Sequence, residues 1–128
     1  MLNFLIVDDS PAMRSFIRRS LELSGLPIGQ CLDAGNGKEA LAVLEGNNHV
    51  DVILSDINMP QMNGEQFVRC VESDARLKCI PVLIISTDST EHRMKQMFDL
   101  GVKGYVKKPF VPESIREEVE RVLGASHV

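Results

Sequence analysis

The sequence predicts a single α/β domain: a five-stranded parallel sheet in the order 2-1-3-4-5, doubly wound with five helices. Three observations carry this. Short apolar runs alternate along the chain with stretches whose apolar residues recur at helical spacing, and strict β–α alternation implies a parallel sheet covered on both faces. The strongest runs, Phe4-Leu5-Ile6-Val7 and Val52-Ile53-Leu54-Ser55, are continuous rather than alternating, as in strands buried on both sides. Charged residues then close the runs: Asp8-Asp9 after the first, Asp56 after the third, and Lys108 soon after Tyr105-Val106. With right-handed crossovers, 2-1-3-4-5 is the economical order, and its switch point lies between the first and third strands.

Taken in order, the first strand spans about Asn3 to Val7. Ser10-Pro11 follows as N-cap and first helical residue, since proline's missing donor costs nothing there. The helix places Met13, Phe16, Ile17, Ser20 and Leu21 on one stripe and stops near Gly25. A weaker strand runs from about Gln30 to Ala34, then the Asn36-Gly37 turn, then a helix with Ala40, Leu41 and Leu44 inward that ends at Gly46-Asn47-Asn48. The central strand is Val50 to Ser55. The loop Ile57-Asn58-Met59-Pro60-Gln61-Met62-Asn63-Gly64 is rich in helix breakers and leads into a short helix carrying Phe67, Val68 and Val71. The fourth strand runs from Pro81 to Ser86, with Pro81 at its start, where a missing donor is tolerated. A helix from about Thr90 to Leu100 sets Met94, Met97 and Phe98 on one face as core, and a short strand covers Gly104 to Lys107. The final helix begins near Pro112 with Ile115, Val119, Val122 and Leu123 at helical spacing. Val111 gives it a poor cap.

Composition excludes several function classes. At 128 residues the chain is one domain. Apolar residues at 44% and charged ones at 25% are ordinary for a globular protein. A net charge of −4 argues against a nucleic-acid partner, which needs a basic surface. No apolar stretch approaches the roughly 20 residues that would insert in a membrane, and the N-terminus shows no signal-peptide pattern. Cys31, Cys70 and Cys79 have no metal-ligand spacing and read as reduced thiols of a cytoplasmic protein. His49, His92 and His127 are scattered and receive no role.

Asp in a helix's first turn is commonplace, and a lone lysine is usually solvated. Their coincidence is not commonplace: ligand chemistry in an open parallel sheet sits beyond the carboxyl ends of its strands. That placement brings three carboxylates and one ammonium to one edge. Clustered carboxylates repel one another unless a cation joins them, so the arrangement points to a divalent metal.

The chain resembles the receiver domains of the bacterial response-regulator family, in the stand-alone form used in chemotaxis. The resemblance rests on Asp8-Asp9-Ser10, on Ser55-Asp56-Ile57-Asn58-Met59-Pro60 with Met62-Asn63-Gly64, on Ser86 at the end of the fourth strand, and on Gly101 through Phe110. It implies a flavodoxin-like fold with residues 1–124 as the receiver domain, 125–128 as a short tail and no output domain. It implies that Asp56 takes a phosphoryl group from a histidine kinase or histidine-phosphotransfer domain. Mg²⁺, with Mn²⁺ as a substitute, would be bound directly by Asp9, Asp56 and the main-chain carbonyl of Asn58, with Asp8 acting through water. Three carboxylates, a divalent cation and Lys108 are together neutral, and Lys108 suits a point charge on a phosphoryl oxygen. Ser86 and Tyr105, the only tyrosine, would be the switch. Ser86 would move to the phosphoryl group, Tyr105 would follow, and the surface of helix 4, strand 5 and helix 5 would meet a downstream protein. The resemblance further implies a monomer that signals by contact and is not an enzyme for an outside substrate, and a cis Lys108-Pro109 bond.

Four positions depart from the chemotaxis pattern. Thr87 stands where a smaller residue is common, Asn58 and Asp88 occupy variable positions that tune hydrolysis, and Lys107 replaces an apolar residue on the motor-facing surface. The last leaves open a phosphate shuttle or sink in a non-chemotaxis pathway. A metal-dependent phosphatase with an aspartyl nucleophile would want an acid two residues after Asp56, where Asn58 stands. A flavin-binding module would want a glycine- or hydroxyl-rich cradle, where the acidic Asp8-Asp9-Ser10-Pro11 stands.

Overall fold

The computed structural model describes residues 1–46 and 49–126. Five strands and five helices alternate: β1 (Leu2–Val7), α1 (Pro11–Leu23), β2 (Ile28–Ala34), α2 (Gly37–Glu45), β3 (Val52–Ser55), α3 (Gly64–Ser73), β4 (Val82–Ser86), α4 (Glu91–Leu100), β5 (Gly104–Lys107) and α5 (Pro112–Ser126). The strands form one parallel sheet in the order β2-β1-β3-β4-β5, as the alternation of elements predicts.

The two faces of the sheet divide the core. Successive residues of a strand point to opposite faces. Accordingly Leu5, Val7, Ile53 and Ile84 pack with Leu44, Phe67, Val68, Val71 and Met97 from α2, α3 and α4. Phe4, Ile6, Leu54 and Ile85 pack instead with Ile17, Leu21, Ile115, Val119 and Val122 from α1 and α5. These side chains are almost wholly buried, each contributing roughly 1.5–3 kcal/mol. The continuous apolar runs are therefore strands with two dry faces. Among the described residues, no buried side-chain nitrogen or oxygen lacks a hydrogen-bond partner, and no helix is long and apolar enough to cross a membrane.

Side chains cap the first four helices. Ser10 Oγ accepts from the Met13 amide (3.2 Å), with Pro11 in the first turn. Asn36 and Thr90 cap α2 and α4 in the same way, and Asn63 with Gln66 forms a reciprocal capping box on α3. At α5 a backbone turn, from the Ser114 amide to the Val111 carbonyl (2.9 Å), stands where the sequence offers no capping side chain.

Several boundaries and faces differ from expectation. The third strand starts at Val52, because Asp51 spends its amide on the Asn3 carbonyl (2.8 Å) and its carboxylate on the Asn3 amide (2.8 Å). The second strand starts earlier, at Ile28, and the fourth one residue later, at Val82. Phe16 is 50% exposed and lies against Phe110, with ring centroids 5.4 Å apart. Phe98 is 41% exposed beside Tyr105, so of the expected α4 stripe only Met97 is core. The last helix reaches Ser126, into the stretch expected as a tail. Asn47, Asn48, His127 and Val128 lie outside the described residues.

β5 is an edge strand. On its unpaired side the Tyr105 amide donates to Glu118 Oε2 (2.8 Å), and the Lys103 carbonyl accepts from Arg121 Nη2 (3.0 Å). Glu118 and Arg121 are also bonded to each other. Burial raises the Glu118 pKa, but the Arg121 guanidinium and the Tyr105 amide outweigh it and hold the carboxyl below its ordinary range.

Candidate functional site

Strand register builds the site. Val7 stands opposite Ser55 in the β1–β3 pair, so Asp8 and Asp56 leave adjacent strands side by side. The Asp56 amide donates to the Val7 carbonyl (2.9 Å) and the Asp8 amide to the Ala34 carbonyl (3.1 Å), which carries the ladder one step past the strands. Ser86 stands opposite Lys107 in the β4–β5 pair, and the Lys108 amide donates to the Ser86 carbonyl (2.9 Å). The next peptide, Lys108-Pro109, is cis. The Lys108 side chain reaches inward. Its Nζ lies 3.1 Å from Asp8 Oδ2 and 3.4 Å from Asp56 Oδ2, while its side chain is 11% exposed against 2% for Asp8.

The carboxylates are not equivalent. Asp8 is buried and fully engaged, with Oδ2 on Lys108 and Oδ1 accepting from the Ser10 amide (2.9 Å). Arg14, from the first turns of α1, donates to the Asp8 carbonyl (2.6 Å) and pairs with Asp33, and so fixes the same strand end. Sequence reading missed Arg14; its position four residues after the cap is the only signal it gave. Asp9 is exposed, and its carboxylate forms no ion pair among the described residues. Asp56 divides its oxygens: Oδ1 accepts from the Ile57 amide (2.7 Å) and Oδ2 faces Lys108. Burial pushes the Asp56 pKa above the ordinary carboxylate range. The Ile57 amide and Lys108 oppose that push, and Asp8 adds to it.

Ligand oxygens of Asp8, Asp9 and Asp56 all lie within 4.8 Å of one another. An all-oxygen set of this kind suits a hard divalent ion and not a soft one. The donors therefore fit Mg²⁺, and the acidic cluster could hold such an ion. Asn58 is exposed on the following loop. That loop is pinned by the Gly64 amide on the Ile57 carbonyl (2.7 Å) and the Gly37 amide on the Met62 carbonyl (2.9 Å), and it includes Gln61 at φ 64°.

Ser86 is wholly buried, and its Oγ accepts from the Asp88 amide (3.1 Å). Tyr105 is half-buried, and its hydroxyl donates to the Asp88 carbonyl. Burial raises the Tyr105 pKa, the charges of Asp88 and Asp56 raise it further, and Arg93 and the Ser86 hydroxyl act against them. Five of the residues expected at the site (Asp8, Asp9, Asp56, Ser86 and Lys108) are thus carried by the ends of neighbouring strands. Tyr105 is tied to Ser86 through Asp88.

Fold and site together define an α/β domain with a lysine-paired acidic centre at its topological switch point. Residues 4–120 match the family model for the response regulator receiver domain. The chain belongs to the response-regulator receiver family. It is 38% identical to the chemotaxis protein CheY1 of Helicobacter pylori over 98% of this chain and 99% of that one. It is 34% identical to the chemotaxis protein CheY homologue of Campylobacter jejuni, covering 96% and 93% of the two chains. Among solved structures, the Vibrio cholerae chemotaxis protein CheY4 superposes with a TM-score of 0.84 at 34% identity, covering 95% of this chain and 98% of that one. The chain is therefore a receiver closely similar to chemotaxis response regulators.

Proposed function

We propose that Asp56 accepts a phosphoryl group from a phosphohistidine on a histidine kinase or histidine-phosphotransfer domain. The single observation that carries this is Lys108 Nζ seated between Asp8 and Asp56, at 3.1 and 3.4 Å, at the mouth of the switch point. With Oδ1 held by the Ile57 amide, Asp56 keeps Oδ2 for attack on phosphorus. The P–N bond to the donor imidazole breaks as the P–O bond to Oδ2 forms. Lys108 then balances charge on a phosphoryl oxygen, and the pinned 57–64 loop keeps the nucleophile aligned. Asp9, Asp56 and the Asn58 carbonyl would hold Mg²⁺ (or Mn²⁺), with Asp8 in support, and the bound ion supplies further charge neutralisation. The product is an acyl phosphate, which water hydrolyses, so the domain limits its own signal without acting on an outside substrate.

Phosphoryl oxygens are strong acceptors close to the Ser86 strand end. Ser86 turns to them, Tyr105 follows, and the α4–β5–α5 surface changes its packing, a population shift driven by one local charge. The output is contact with a downstream protein by a cytoplasmic monomer in a chemotaxis-type pathway, a reading supported by the likeness to chemotaxis proteins over nearly the whole chain. The test is incubation with acetyl phosphate and Mg²⁺. One phosphoryl group is expected on Asp56 and none on the Asp56→Asn variant. Peptide mapping that places the group on a serine or histidine would overturn the proposal.

A further inference from the structure

A chain of polar contacts joins the first turn of α3 to the first turns of α4 and ends at the switch residues. α3 starts where the Asp56 loop closes, and its second residue, Glu65, accepts at Oε1 from the Gln96 side-chain amide (3.3 Å). Gln96 Oε1 accepts in turn from Arg93 Nη1 (2.8 Å). Arg93 Nε lies 3.4 Å from Asp88 Oδ2. The other Asp88 oxygen accepts from the hydroxyl of Thr90 (3.1 Å), the α4 cap. The main chain of Asp88 then holds both switch hydroxyls: its amide donates to Ser86 Oγ, and its carbonyl accepts from Tyr105.

We infer that Arg93 and Gln96 are positioning residues that hold the Asp88 segment, and through it Ser86 and Tyr105, in the unphosphorylated arrangement. This rests on the reading of Asp56 as phosphoacceptor and of Ser86 and Tyr105 as its switch. The Ser86 hydroxyl keeps its own proton to donate, but the Asp88 amide fixes its place. For Ser86 to move to a phosphoryl group, Asp88 must move with it or release it. Tyr105 is anchored on the same residue, so both hydroxyls are freed together. Glu65, Arg93 and Asp88 are half-buried at the rim of the fold, where water still screens such links and each contributes little to global stability. Their role is to bias an equilibrium: losing one link shifts a two-state population by about two- to fivefold.

The molecule contains its own probe. Tyr105 is the only tyrosine and there is no tryptophan, so near-ultraviolet emission reports Tyr105 alone. Acrylamide quenching of the unphosphorylated protein is expected to fall below the native value in both Arg93→Ala and Gln96→Ala, because the released Tyr105 ring follows the buried Ser86 inward. Arg93→Lys, which keeps a cation facing Asp88, should stay near the native value. Lys95→Ala should leave quenching unchanged, since Lys95 pairs with Asp99 on its own helix (3.0 Å) and stands outside the chain of contacts. Labelling of Asp56 by acetyl phosphate should accelerate by about two- to fivefold in the two alanine variants. Native quenching in either alanine variant overturns the inference, even if its melting temperature falls. Quenching that falls in a protein that takes no phosphate on Asp56 would instead sink the phosphoacceptor reading and leave Arg93 and Gln96 in their role.

Discussion

Gly64 carries no functional group, yet substituting it should damage the site more than most polar changes. A Cβ at this position would stand 2.3 Å from the Asp56 carbonyl oxygen, 2.7 Å from Ile57 Cα and 3.2 Å from the Asp56 carbonyl carbon. Ordinary carbon contacts are roughly 3.5–4.0 Å, so the added methyl sits about 1 Å too close. The obstruction is backbone and cannot rotate aside. The Gly64 amide also closes the loop on the Ile57 carbonyl (2.7 Å), so any movement that relieves the clash strains that bond and displaces Asp56. Overpacking of this kind costs about 1–3 kcal/mol. Gly124, in α5, is the internal comparison: a Cβ there meets no heavy atom within 4 Å, and alanine in a helix is favoured over glycine by about 0.5–1 kcal/mol. Urea unfolding followed by circular dichroism should therefore show opposite signs, Gly64→Ala lowering the midpoint and Gly124→Ala raising it. Calorimetry should show weaker Mg²⁺ binding for Gly64→Ala alone. An unchanged midpoint and Mg²⁺ affinity in Gly64→Ala would refute the steric argument.

Three further outcomes follow from the charges. The folded-state pKa of Asp56 is raised, so its favourable contribution is complete below the unfolded pKa and is lost as pH rises through the folded value. Asp56→Asn should therefore be more stable than the native metal-free protein at neutral pH, with the difference shrinking in acid; urea titrations at several pH values decide this. Lys108→Ala strips the buried Asp8 of its cation and should cost on the order of 3 kcal/mol, partly restored by added Mg²⁺; a thermal melt that does not move would contradict it. Glu118 is the opposite case to Asp56: its depressed pKa gives stability above the unfolded value that is lost as pH falls through the folded one. The acid limb of the stability profile should accordingly be shallower in Glu118→Gln, and an identical limb would count against the Arg121 and Tyr105 contacts.

The strand order and the acidic centre were legible because each rests on a strong local signal. Dry two-sided strands leave continuous apolar runs, and Pro, Gly and Asn mark their ends. The relation between Asp8 and Asp56 followed from topology alone, since adjacent parallel strands in register must end side by side. What the sequence hid depends on where a helix sits on the sheet. Helical spacing sets Phe16 and Phe98 beside Ile17 and Met97 but cannot locate the edge of the buried stripe, and both rings fall outside it. Asp51 looked like strand because Val50 extends the apolar run, yet its side chain and amide bind Asn3 across the sheet's end. The Asp88–Arg93–Gln96–Glu65 contacts join residues up to 31 positions apart through side-chain tips alone, and no periodicity announces them.

The outer edge of β5 has a consequence of its own. A parallel strand arriving there would use one residue to accept from the Tyr105 amide and to donate to the Lys103 carbonyl. Glu118 and Arg121 already occupy both places. Gly104 makes room for them, since a methyl in its place would lie 2.8 Å from Glu118 Oε2. A helix thus stands in for the missing sixth strand with two charged tips. An open edge is the usual seed for sheet-to-sheet growth and fibre formation, and here that end of the sheet is sealed by the protein's own side chains.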